Sequence, residues 1–210
     1  MDAPKVSRTE SAPDRRRLFE VASEQGGYFS TDQARSCGYS WALLSHHVKA
    51  GGFIRVRRGL YRFREYPSSP REYVLAAWLA VGKDTAVVSH ESALDLLGLS
   101  DVIPGAVHLT VPRSRRNLPS LNGVKVHTTV RPLGVDDRVV RDGMAVTSAT
   151  RSILDAAEAG TAPEQIHKAI REAIGRGMAT THRLKRDAAE RSRRVAAVVE
   201  DALLWVKSRS

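Results

Sequence analysis

A single cysteine, Cys37, stands among 210 residues, so the chain can form neither an internal disulfide nor a cysteine-based zinc site. Long apolar runs are missing too. The longest, Val74 to Val81, falls far short of the roughly 20 residues that cross a bilayer. The first residues include Asp2, Pro4, Glu10 and Asp14 and lack the apolar core of a secretory signal, so the expected compartment is cytoplasmic and no membrane partner is expected. Phosphate-cradling signatures are absent: there is no G-x-x-x-x-G-K-[ST] and no G-x-G-x-x-G after a strand, and Gly175-Arg-Gly177 is too short and isolated to serve. The kinase runs Val-Ala-Ile-Lys, His-Arg-Asp and Asp-Phe-Gly are lacking as well.

The most telling absence is of negative charge in one place. No Asp or Glu occurs between Asp32 and Glu65, a stretch that carries Arg35, Lys49, Arg55, Arg57, Arg58, Arg62 and Arg64. An ordinary solvated surface mixes both signs, so this stretch points to a polyanion. The chain as a whole agrees, with a formal net charge of +10 and a pI near 10.2.

What fills that stretch has a recognisable order. Leu18, Phe19, Val21 and Ala22 have helical spacing and end at Gly26-Gly27. Ser30 with Gln33 fits a capping box, which predicts a helix from Thr31 to Gly38. Ser40 can cap a further helix to about Ala50, with Trp41, Leu44 and Val48 toward the core and Ala42, Ser45, His46 and Lys49 on the other side. From Phe53 to Arg64, two arms of period-2 alternation flank Arg58-Gly59, predicting a hairpin whose arginines share one face. Helix, helix and basic hairpin in this order read as a winged helix-turn-helix. The expected DNA contacts are Ser40, Ser45, His46 and Lys49 toward base edges, and Arg55, Arg57, Arg58 and Arg62 toward phosphates or a minor groove.

The remainder reads as a second domain. Residues 1–14 look like a disordered tail, 15–64 the winged unit, 65–70 a proline-bearing linker, and 71–210 a C-terminal domain. Within it, helices are predicted from about Arg71 to Val81, His90 to Leu97, Ser148 to Glu158 and Pro163 to Gly175, with helical propensity from Thr181 to Lys207. Short strands are predicted at Thr85–Ser89, Val107–Val111, Val124–Val130 and Met144–Thr147. The fold class is therefore α/β (α+β): an N-terminal winged helix-turn-helix plus a small β-sheet covered by helices. Arg113, Arg115 and Arg116 lie in a loop between strands and suit a phosphate or an acidic partner surface. Near the C-terminus, Arg183, Asp187, Arg191, Arg186, Glu190 and Arg194 are spaced for i,i+4 ion pairs on a solvent face.

Catalytic and metal chemistry find no anchor at this level. His90, His108 and His127 lie far apart along the chain and meet only if the fold brings them together, so no metal, cofactor or catalytic residue is assigned.

Three segments carry a family resemblance: Gly51 to Arg62, Ser89 to Leu99 (SHESALDLLGL) and Gly143 to Asp155 (GMAVTSATRSILD). In this order and spacing they resemble the AbiEi antitoxins of type IV toxin–antitoxin systems, over about Leu18 to Met178. The resemblance implies a repressor that binds double-stranded DNA at its own promoter and counters a nucleotidyltransferase-type toxin; a homodimer on DNA is one arrangement compatible with this. The alternative is an enzyme that neutralises the toxin by covalent modification, such as phosphorylation of a Ser or Thr. Its nonstandard site would draw on Lys83, Arg113, Arg115 or Arg116 with a carboxylate such as Asp95, Asp137 or Asp155.

Overall fold

The computed structural model describes residues 12–130 and 132–207, with side chains through Trp205. Of the expected N-terminal tail, residues 1–11 lie outside the described residues. The chain divides after Ala80 into two compact units.

The first unit opens with α1 (Arg15–Ser23), whose first turn is capped by the Asp14 carboxylate accepting from Arg17 N–H. A short strand β1 (Tyr28–Ser30) leads into α2 (Thr31–Ser36). The capping box is formed as its residues predict: Ser30 Oγ accepts from Gln33 N–H, and Gln33 Oε1 accepts from Ser30 N–H. Ser40 caps α3 (Trp41–Lys49) by accepting from Leu43 N–H. The hairpin follows as β2 (Phe53–Arg57) and β3 (Leu60–Phe63), turning at Gly59, where φ is 77°. The strands pair antiparallel in the order β1-β3-β2, so β3 is central.

Both faces of this sheet are covered. Phe29, Phe53, Tyr61 and Phe63 form one core with Leu18, Ala22, Ala34 and Leu44 from α1–α3. On the other face, Tyr28, Leu60 and Val56 pack against Leu75, Ala76 and Leu79 of α4 (Glu72–Val81). The helix that the sequence assigns to the second domain thus completes the first. Its apolar sides found a sheet face that the hairpin pattern alone does not announce as buried. Gly27 (φ 82°) fixes the approach of the chain leaving β3, since a Cβ there would lie 2.3 Å from the Tyr66 ring.

The second unit holds a mixed sheet in the order β6-β5-β4-β8-β7, built from β4 (Val87–Val88), β5 (Val107–Pro112), β6 (Val124–Thr129), β7 (Arg138–Arg141) and β8 (Met144–Thr147). β4–β8 and β5–β6 are parallel, while β4–β5 and β7–β8 are antiparallel. Strand β7 is an addition to the predicted set; it is joined to β8 through Asp142 and Gly143, both at positive φ, the tight turn that Asp-Gly favours. Helices α5 (His90–Leu97) and α6 (Ala149–Ala159) follow β4 and β8 and pack on each other. Then α7 (Pro163–Gly175), α8 (Thr181–Ala189) and α9 (Arg193–Lys207) pack around α6. The long C-terminal helical stretch is broken after Ala189, where Ser192 Oγ and N–H are held by Glu158. No helix among the described residues is long and apolar enough to cross a membrane.

Candidate functional site

Helix α3 sorts its side chains into two arcs. Leu43, Leu44, His47 and Val48 turn inward, and the His47 ring lies 4.9 Å from that of Phe53. Trp41, Ala42, Ser45, His46 and Lys49 are exposed and, at about 100° per residue, span an arc of about 140°. Trp41 corrects the expectation of a core residue: it is 60% exposed and joins the outer arc. Ser40 is exposed, but its hydroxyl is engaged as the helix cap, so it serves α3 before any base edge.

The wing separates its arginines. Arg55 is exposed and stands opposite Tyr61 in the ladder, on the sheet face over which α1–α3 pack. Arg58 is exposed at the turn, and Arg57 is half-buried beside a register shift. Arg62 is the second correction. Only 6% exposed, it donates from Nη2 to the carbonyls of Tyr66 (2.9 Å) and Pro67 (2.8 Å) and lies 3.4 Å from Glu72 of α4. Alternation had placed Arg62 on an open guanidinium face, whereas α4 closes that face and makes Arg62 a tie within the unit. Arg64 is likewise engaged, donating to Gly51 O.

The observed arrangement is a capped polar helix beside a ribbon with cations at its turn and on the helix side, which suits backbone phosphates of a duplex. Residues 16–64 match the family model described as transcriptional regulator, AbiEi antitoxin. This segment is similar to the AbiEi regulators. Over a longer span the fold is similar to the crystal structure of the Rv2827c protein from Mycobacterium tuberculosis, with a TM-score of 0.64 at 15% identity, covering 88% of this chain and 75% of that one. No curated protein sequence matches the chain.

Outside the AbiEi segment, the basic loop Arg113–Arg115 forms a single 3-10 turn, with Arg113 and Arg116 exposed and Arg115 donating to Val81 O. Arg113 borders a cavity of about 320 Å³ with Thr85, Thr129 and Arg138, and no carboxylate lines it. Asp155, a carboxylate considered for phosphoryl chemistry, is already held: it is 4% exposed and accepts two hydrogen bonds from Arg151 Nε and one from Arg191 Nη2. Arg191 therefore ties the α8–α9 turn to α6 and does not pair with Asp187. Arg183 does meet Asp187, at 3.4 Å, and Arg186 also reaches Asp187. Arg183 and Arg191 are half-buried in this network, so the expected solvent face is in part an inter-helix seam.

The fold does bring the three histidines together. Parallel pairing of β5 with β6 sets Thr110 opposite His127 and His108 opposite Lys125, so His108 and His127 lie on one face as diagonal neighbours. His90, first residue of α5, arrives over them with φ 54°, a left-handed backbone costing of order 1–3 kcal/mol for a non-glycine residue. Its ring stacks on His127 at 3.6 Å. His127 Nε2 and His108 Nδ1 are 3.2 Å apart, and His90 Nδ1 is 2.9 Å from Ser89 Oγ, which also accepts from Thr110 Oγ1–H. Ser89 stands at the N-cap position of α5 without a side-chain cap hydrogen bond, and its hydroxyl instead orients this cluster. Burial, with the neighbouring rings and Lys125, pushes His90 down to about 2 and His127 to about 4, and burial lowers His108 as well. All three are neutral imidazoles at neutral pH, each keeping one ring nitrogen lone pair. The period-2 pattern already put His108 with Thr110 and Lys125 with His127, but strand order, which no local pattern supplies, decides that they meet.

Proposed function

We propose that this chain is the antitoxin of a type IV toxin–antitoxin system, that it represses its own promoter, and that it counters a nucleotidyltransferase-type toxin. The observation that supports this reading best is the exposed arc of α3 on the same side of the sheet as Arg55, with Arg58 at the wing turn, inside a segment of AbiEi type. Ser45, His46 and Lys49, with Trp41 and Ala42 beside them, would meet base edges. Arg55, Arg57 and Arg58 would hold phosphates, whereas Arg62 would hold the wing itself. Phosphate contacts from Arg55, Arg57 and Arg58 imply a log–log salt slope of about −2.7 per bound chain. A mobility-shift titration on the DNA upstream of the gene, repeated over a salt series, tests this; binding without salt dependence, or none, would remove the DNA reading. A slope about twice as steep would indicate a homodimer.

The partner toxin is a separate question with its own measurement. Incubation with the neighbour-encoded protein, with and without ATP and Mg²⁺, followed by intact-mass analysis distinguishes capture from modification. A stable complex of unchanged mass favours sequestration. A gain of one phosphoryl group would favour the enzymatic alternative, against which stand the arginine-paired Asp155 and the carboxylate-free cavity beside Arg113.

A further inference from the structure

We propose that His90, His108 and His127 form a binding site for one divalent transition-metal ion of the zinc class. Each residue offers one ligand atom, and these atoms lie within 4.8 Å of one another. The 3.2 Å separation of His127 Nε2 and His108 Nδ1 is already near the edge of about 3.4 Å that tetrahedral coordination at about 2.1 Å requires. His90 engages Ser89 through Nδ1, which leaves Nε2 as its ligand atom, and binding requires its ring to turn out of the stack on His127 so that this nitrogen faces the ion. Ser89 Oγ then accepts from His90 Nδ1–H, the outer hydrogen bond that fixes the tautomer of a metal-bound imidazole.

The proton balance closes without a base. In the metal-free pair, one neutral imidazole of His108 and His127 donates to the other's lone pair. On binding, the donor's proton moves to its other ring nitrogen, and both facing lone pairs go to the ion. Three neutral rings keep one N–H each and supply three lone pairs, so no proton is released. The imidazole-only set suits zinc, cobalt or nickel and does not suit Mg²⁺ or Ca²⁺, which take oxygen ligands. His90 and His127 border a cavity of about 370 Å³ with Thr128, Arg151 and Glu158, so the fourth coordination position opens toward water or an anion.

The test uses the full chain freed of metal by chelator. Equilibrium dialysis against Zn²⁺ in the presence of excess Mg²⁺ is expected to load one ion per chain. Co²⁺ is expected to give the intense visible absorption of a tetrahedral site. His127→Gln, at a partly exposed position, should weaken uptake by about 100-fold or more, while His182→Gln, on an exposed position of α8, should leave it unchanged. Uptake that is absent in the parent, or unaltered in H127Q, overturns the proposal; the latter places the ion on surface residues such as His46. If H127Q does not fold, the ring ¹⁵N resonances of the unaltered chain decide. Zn²⁺ must shift those of His90, His108 and His127, and shifts confined to other histidines reject the site.

Discussion

Replacing Arg62 with Ala separates the two roles that an arginine in a wing can have. Arg62 is nearly sealed from solvent, gives two short hydrogen bonds to the carbonyls of Tyr66 and Pro67, and stands 3.4 Å from Glu72. Hydrogen bonds from a charged donor are worth about 1.5–3 kcal/mol each. The Glu72 contact adds less, because at 3.4 Å it makes no hydrogen bond and the Glu72 side chain is 38% exposed. Against these gains, Arg62 Nε lacks a partner, which trims the total. The net loss expected for R62A is about 3–4 kcal/mol, or about 15 °C or more in the melting of a unit of this size. The effect on DNA should be the opposite of a phosphate contact: well below its melting point, R62A keeps the parent salt slope, because no phosphate contact has gone. Differential scanning calorimetry and a salt-series mobility shift on the same preparation measure both. A variant that melts with the parent and flattens the slope by about 0.9 would refute the internal role.

Arg55→Ala and Arg58→Ala should behave the other way. Each lowers the magnitude of the salt slope by about 0.9, weakens all sequences alike, and changes stability by no more than about 0.5 kcal/mol, as read in the same two assays. His46→Ala should alter relative affinity among mutated operators more than it alters the slope, in a competition titration. Gly27→Ala meets both a left-handed backbone and the Tyr66 ring, so urea denaturation should show a loss of about 2 kcal/mol or more; a loss below about 1 kcal/mol would mean that Tyr66 moves freely. Asp155→Asn leaves the Arg151 and Arg191 guanidiniums facing each other without their shared anion, and should cost about 3 kcal/mol in urea denaturation of the second unit.

Local rules were legible and longer-range coverage was not. The Ser30–Gln33 box, the Ser40 cap, the Arg58-Gly59 turn and the Pro163 start of α7 rest on interactions within a few residues, and each is formed where its residues stand. Trp41 was misplaced because i,i+3,i+7 spacing marks an apolar stripe without saying how far the neighbouring core extends. Arg62 was misplaced because alternation tells the two faces of a strand apart but cannot say that a helix beyond the hairpin covers the second. β7 was missed although Asp142-Gly143 before Met144 carries a hairpin signal; its Val139 and Val140 are exposed, which blurs the alternation. The histidine cluster needed the pairing of β5 with β6 and the position of α5, neither of which is written in the spacing of three histidines.

The placement of α4 sets where the N-terminal piece can be cut. A fragment ending at Pro70 would strip the cover from Tyr28, Val56 and Leu60 and take Glu72 away from Arg62, presenting a sticky, weakened sheet to solvent. Extending the fragment to Ala80 retains the cover and the carboxylate together, so a first unit with its sheet covered ends inside what looks, by its residues alone, like the next domain.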